Sequence, residues 1–371
     1  MKSGWEELRR LNHPKFDPLE DGGLTDCANR FFDKGLARSS RAKYRGHVER
    51  FASFARENAL WAEELWESTP SEMDLIMYVT HRAAQDSVQP GTIKGELAAL
   101  TEFYQAIGQA DPTEGANGRK HPRLHRVMRG ISRTSTKAGK KKREMTVPKT
   151  DLVRRFWRRV MGNAADAACL ESAVDVGVHF LLRVSEFTSP TQKKRNPRKH
   201  LNGRDVTVPK EADGVRMLGL FVKKSKADIY REGADLVVAT SKESPGPMPS
   251  MKRWLAHRKR LGYGEDDALY RLQNGDYLTR EKLQKSLQAA LTLAGLVGKE
   301  YTSHSLRAGG ATSLAAAGMS DRYIQVVGRW ASDCYKRYIR IPDRDRVEAA
   351  RGLAGLKGKD LGPDERVSAK V

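Results

Sequence analysis

One stretch of the chain cannot belong to any packed core, and it divides everything around it. From Arg133 to Arg143 the residues run Arg-Thr-Ser-Thr-Lys-Ala-Gly-Lys-Lys-Lys-Arg, strongly basic and without apolar periodicity. Before it the apolar residues repeat at helical intervals only; after it helical and strand-like patterns alternate. A chain of 371 residues interrupted in this way is expected to form two domains. The expected boundaries are a leader over 1–23, an all-α domain over 24–132, a basic linker over 133–148, a mixed domain over 149–345 and a tail over 346–371.

The first half reads as a small helical domain. Tyr44, Val48, Phe51 and Phe54 recur at three- and four-residue steps and predict one apolar stripe. Thr69-Pro70-Ser71-Glu72 carries the cap, early proline and acidic first turn that open a helix continuing through Leu75, Tyr78 and Val79. A third helix is expected from Thr92 to Ile107, and a shorter one around Leu124, Val127, Met128 and Ile131. Beyond the linker, helices are expected at 152–161 and 164–182. Strand-like segments follow at 206–208, 215–222 and 234–238, and then helices at 251–261, 279–294, 305–317, 321–327 and 332–339. The fold class is therefore mainly α with a small antiparallel β-sheet: an N-terminal all-α domain followed by a mixed α+β domain.

Charge narrows the partner. Lys and Arg number 67 against 46 Asp and Glu, a formal charge of +21, which suits a polyanion and first of all nucleic acid. The start of the chain lacks the apolar core of a signal peptide. No apolar run approaches the roughly 18 residues of a membrane span. Cys27, Cys169 and Cys334 are too few and too scattered for a disulfide framework or a zinc motif. No phosphate-binding loop, dinucleotide fingerprint or zinc helix occurs. The expectation is an intracellular, DNA-associated protein with no cofactor, no metal, no membrane contact and no small-molecule ligand. Candidate phosphate contacts are Arg41, Lys43, Lys94, Lys140, Lys141, Lys142 and Arg143.

Three clusters stand apart from this background. Arg183 and Glu186 follow an apolar helix at a spacing that puts them on one face, as a simple ion pair also would. His304 and Arg307 are likewise three apart and begin a helix, where free N–H groups and partial positive charge favour an anion. Gly328-Arg329-Trp330 precedes Tyr335 and Tyr338, a set that core packing alone also accounts for.

In order and separation these clusters, with Ser225-Lys226-Ala227-Asp228 between them, resemble the catalytic domain of the tyrosine recombinases, the phage-type integrases. The all-α half is similar to that family's core-binding domain, and the resemblance spans about residues 25–345. It implies a site-specific recombinase that clamps double-stranded DNA as a homodimer or homotetramer and cuts it through a 3′-phosphotyrosine. By the same resemblance Tyr338 is the nucleophile, and Arg183 and Arg307 hold the phosphate oxygens. His304 hydrogen-bonds the phosphate and manages the tyrosine proton. Lys226 is the general acid, and Glu186 orients the arginine–histidine cluster. Trp330 stands where many members carry a second histidine. Tyr338 lies one residue nearer to Trp330 than the family's usual spacing, which makes Tyr335 its rival, and Lys223 and Lys224 share the turn with Lys226. A type IB topoisomerase or a catalytically silent DNA-binding protein are the alternative readings.

Overall fold

The computed structural model describes residues 35–36, 38–58, 60, 68–85, 88–135, 143–208, 216–225, 232–240, 246–337 and 339. The chain divides into two compact units between Gly139 and Lys140.

The first unit consists, among the described residues, of four helices: α1 (Arg38–Glu57), α2 (Glu72–Ala84), α3 (Pro90–Ala106) and α4 (Pro122–Thr134). Local chemistry starts each of the last three. Ser71 and Asp74 form a reciprocal capping box on α2. Pro90 and Pro122 occupy first-turn positions, where a missing N–H is harmless. The Glu72 carboxylate accepts from the Arg123 and Leu124 amides (2.9 and 3.1 Å) and so closes the N-terminus of α4. The apolar stripes meet in a core of Phe51, Tyr78, Ile93, Leu100 and Phe103. Within it lies a fully buried carboxylate, Glu96. It accepts from Tyr78 Oη at 3.0 Å and from Arg82 Nε and Nη2 at 2.9 and 2.8 Å.

The second unit is built around α7 (Ala164–His179), which is buried along nearly its whole length. It packs against α5 (Val147–Arg154), α6 (Trp157–Met161), α9 (Met248–Arg260) and α11 (His304–Ala316). That enclosure explains why apolar residues lie on all sides of it rather than on one face, and why the three carboxylates buried with them, Asp166, Glu171 and Asp175, are met by Gln273 N, Arg253 and Arg154. Between α8 (Val184–Phe187) and α9 lies an antiparallel sheet in the order β1 (Val206–Thr207), β2 (Arg216–Val222), β3 (Ala234–Thr240). Leu218 faces Val238 and Leu220 faces Leu236 across β2 and β3. The inner face of β2 joins Trp157, Val174, Trp254, Leu287 and Leu306 in the main core. Helices α10 (Arg280–Leu293) and α12 (Asp321–Val327) and a 3-10 turn at Asp333–Arg337 complete the described unit.

Several expectations need correction. The helix expected over 152–161 is two helices, α5 and α6, interrupted at Arg155 and Phe156. The helix expected to reach Leu182 stops at His179, because Leu181 adopts a left-handed φ of 48°. The segment expected to be helical from Ser332 to Ile339 is a 3-10 turn, with the Tyr335 side chain turned into a small core. Of the linker expected over 133–148, Arg133 and Thr134 end α4 and Val147 and Pro148 begin α5, while residues 136–142 lie outside the described residues. Upstream of α5, Arg143 N donates to Glu300 O and Met145 N to Ser305 O, both at 2.9 Å.

Two adjacent glycines set the position of α11. A Cβ on Gly309 would lie 1.8 Å from Met145 O, and one on Gly310 would lie 2.0 Å from Val178 O. Helix α11 can lie against the end of α7 only because these side chains are missing. Gly310→Ala should lower the unfolding free energy of the second unit by about 1–3 kcal/mol through overpacking, measured as a shift in the urea midpoint at unchanged slope.

Candidate active site

The site grows from the end of α7. Once Leu181 has turned the chain, Arg183 caps α8, and Glu186, in the first turn of that helix, reaches back. Arg183 N donates to Glu186 Oε2 at 2.8 Å and Arg183 Nη1 to Glu186 Oε1 at 3.1 Å. Glu186 is 1% exposed, so its charge needs close cations. The second one is Arg329, from the turn after α12, whose Nη2 donates to Glu186 Oε2 at 2.8 Å. Arg329 has a φ of 54°, again left-handed and again not a glycine. Arg183 and Glu186 thus form the expected ion pair, but they share the carboxylate with a third residue 143 positions away.

Arg307, in the first turn of α11, is 1% exposed. Its Nη1 donates to Leu181 O and its Nη2 to Gly328 O. Its guanidinium carbon lies 4.1 Å from the centre of the Trp330 ring, a cation–π contact. The two left-handed turns therefore frame this arginine from opposite sides. His304, at the start of α11, is exposed. Surrounding protein, and then the cations Arg307, Arg183 and Arg280, hold its pKa below the ordinary 6.5. The ring is accordingly neutral at pH 7 and able to accept a proton.

Trp330 is nearly buried and joins Leu181, Ala311, Ile324 and Tyr335 in a small core of their own. The Tyr335 ring lies 6.2 Å from that of Trp330. Burial, and then a hydrogen bond to Asp321, push the Tyr335 phenol pKa upward. Tyr338 and Lys226 lie outside the described residues, as do Lys140, Lys141 and Lys142. On either side, Ser225 is buried and Ile339 packs against the Trp330–Tyr335 core. Lys223 is occupied: its Nζ pairs with Asp205 at 2.6 Å and donates to Pro197 O and His200 O.

Among the candidate phosphate contacts, Lys43 and Lys94 are exposed and Arg41 is half-buried. Arg143 is tied by its side chain to Glu300 at 2.6 Å, so it belongs to the second unit rather than to a free basic tether. Two features were not anticipated from the sequence. One is Arg329. The other is the outer face of α4, where Arg123, Arg126, Arg129 and Arg133 are all exposed and no acidic residue interrupts them. Their spacing was legible in the chain, because Leu124 and Met128 take the opposite, buried face.

Comparison with known proteins gives one family match and several likenesses of fold. Residues 221–341 match the Phage integrase family, a span that takes in His304, Arg307, Trp330 and Tyr338. Solved structures with the same fold include the XerH site-specific recombinase bound to palindromic difH substrate in a post-cleavage complex. It has 18% identity and a TM-score of 0.57, over 85% of this chain and 79% of that one. A fragment of the Tn1549 transposon integrase in complex with transposon right-end DNA has 15% identity and a TM-score of 0.52, over 89% and 98%. A lambda integrase dimer bound to a COC′ core site has 15% identity and a TM-score of 0.50, over 92% and 80%. No curated protein sequence matches. The fold is that of the tyrosine recombinases. Within it, the match to the Phage integrase family covers residues 221–341.

The crowding of cations around His304 has a direct consequence. An NMR titration of the folded chain should place its midpoint below 6.5, and Arg280→Gln should raise that midpoint by removing one of the three cations. A midpoint unmoved by the substitution would remove Arg280 from the groups that depress it.

Proposed function

We propose that this chain is a site-specific DNA recombinase that cuts and rejoins double-stranded DNA through a covalent 3′-phosphotyrosyl intermediate. One observation carries the reading: Arg183 and Arg307, from unrelated elements, converge on one turn by donating to the adjacent carbonyls of Arg329 and Gly328, with Trp330 against Arg307, His304 one helical turn before it and Tyr338 a few residues further along the chain. Such an arrangement fits the charge of a pentacoordinate phosphorus. The planar guanidinium is always charged and can grip two oxygens.

In this mechanism the Tyr338 phenolate oxygen attacks the scissile phosphorus while the bond to the 5′-oxygen breaks. His304, neutral at pH 7, takes the phenol proton. Lys226 gives a proton to the departing 5′-oxygen. The Trp330 indole N–H is a donor only, so it can hydrogen-bond a phosphate oxygen but not shuttle a proton. The phosphodiester energy is kept in the tyrosine link. Attack by a 5′-hydroxyl from a second duplex then reverses the step and exchanges strands. This route uses neither nucleotide nor metal, and exchange between two duplexes calls for a dimer or tetramer on DNA.

Of the two tyrosines, Tyr338 is the better nucleophile. Tyr335 is buried in a small core, and its phenol is hydrogen-bonded to Asp321, whose charge opposes ionisation. A nucleophile needs the reverse environment. For the acid, Lys223 is engaged with Asp205, which leaves Lys224 and Lys226, and the Ser-Lys-Ala-Asp context favours Lys226. The exposed arginines of α4, together with Lys43 and Lys94, suit tracking of a phosphate backbone.

The test is a suicide duplex, nicked beside a candidate site drawn from the DNA flanking the gene. Incubated without metal or nucleotide, the protein should become covalently joined to the 3′ end, with the link mapped to Tyr338. Tyr338→Phe should retain DNA binding and yield no adduct; an adduct that persists would move the nucleophile elsewhere. Arg307→Ala should slow cleavage by a factor of about 10²–10³, the value of one positioned charge, and a loss below tenfold would remove its assigned role. Arg126→Ala, Arg129→Ala and Arg133→Ala should each weaken binding and reduce the slope of log affinity against log salt by about 1. An unchanged slope would take α4 off the DNA.

A further inference from the structure

The reaction just proposed makes a demand on Arg183 that the site itself must meet. Arg183 is bound to Glu186, whose side chain is 2% exposed. Of the guanidinium nitrogens only Nη1 is on that carboxylate, so a phosphate gripped by the others competes with Glu186 for a single positive charge. With no other cation at hand, that competition would leave a buried negative charge under-compensated, an unfavourable state. A second cation is at hand. Arg329 Nη2 lies 2.8 Å from Glu186 Oε2, and the Arg329 side chain is only 8% exposed.

We propose that Arg329 is a positioning residue: the standing counter-ion of Glu186 that releases Arg183 for the scissile phosphate. Three observations carry this. The two arginines differ in burial, 22% exposure for the Arg183 side chain against 8% for Arg329, so one faces the site opening and the other is enclosed. Arg329 is anchored from several directions, with Nη1 near Val327 O at 3.2 Å and Phe180 O at 3.5 Å, and is thus fixed where Arg183 is freer to move. Its Nε is buried without a partner, a spare donor on the guanidinium that already holds the carboxylate. The backbone makes the same point. At a φ of 54° glycine is the unstrained residue, and an arginine kept there implies a use for its side chain.

The role rests on the phosphate-cutting reading, and the test separates the two. Adduct formation on the suicide duplex is timed for wild type, Arg329→Gln, Arg329→Gly, Arg329→Lys, Glu186→Gln and the double variant Glu186→Gln with Arg329→Gln. Arg329→Gln and Arg329→Gly should each slow the adduct by about tenfold or more with DNA affinity unchanged, and Arg329→Lys should recover most of the rate. In the Glu186→Gln background, Arg329→Gln should cost nothing further, because no charge is left to balance. Wild-type speed from Arg329→Gly would show that only the turn matters, and multiplicative losses in the double variant would break the link to Glu186; either overturns the proposal. Urea unfolding supplies an arm that needs no catalysis. Arg183→Gln should shift the midpoint about threefold more in the Arg329→Gln background than in wild type. Equal shifts overturn the counter-ion role. Were wild type to form no adduct while this coupling held, the recombinase reading would fail and the counter-ion role of Arg329 would stand.

Discussion

A carboxylate taken out of water organises this site. Removing an ion from solvent costs several kcal/mol even after relaxation, so Glu186 requires that cations come to it. One arrives locally, since Arg183 caps the short helix that Glu186 belongs to. The other comes from a turn far along the chain, and that long-range pair fixes the turn itself. Fixing Arg329 fixes Gly328, whose carbonyl receives Arg307, and Trp330, whose ring lies against the same guanidinium. One buried negative charge therefore sets the positions of three arginines and an indole.

The arginines are held in different ways, and the difference matters chemically. Arg183 shares a full negative charge, which lowers its attraction for a second anion until the pairing loosens. Arg307 is held by the carbonyls of Leu181 and Gly328, whose dipoles fix its geometry. Both carbonyls are aimed by left-handed backbone, at Leu181 itself and at Arg329 beside Gly328. Strain of this kind costs of order 1–3 kcal/mol per residue and has to be met by surrounding packing. Gly309 and Gly310 allow that packing, because they bring α11 against Met145 and Val178 at backbone distance. A preorganised cation near developing charge needs no reorganisation during reaction.

What the sequence made legible follows from the range of each interaction. The helices of the first unit were readable because burial on one face repeats every three or four residues, as Phe51, Tyr78 and Leu100 show. Local spacing also pointed to Arg183 with Glu186, and to His304 with Arg307. The end of α7 was not readable: a leucine at 181 carries no sign of left-handed backbone, and its conformation serves an arginine 126 positions away. Arg329 escaped for the same reason, since its partner lies in another element. Arg143 stood in a run of basic residues that resembled a free tether, and nothing local announced Glu300. Glu96 gave no warning either. A glutamate in the middle of α3 looks like a surface residue until Tyr78 and Arg82 are found around it.

The distribution of positive charge divides into two populations that obey different physics. Along α4 the arginines are exposed, so ions in solution screen their attraction for a polyanion and the affinity they confer falls with salt. Around Glu186 the cations are largely withdrawn from solvent, Arg329 more than Arg183, and the local dielectric is lower. On the proposed reading, the first population sets how long DNA is held and the second acts on a phosphate already seated. A net charge of +21 spread wholly over the surface provides the first role and not the second. The burial of Glu186 separates the two roles, because it draws two arginines out of solvent and fixes the frame in which Arg307 is held.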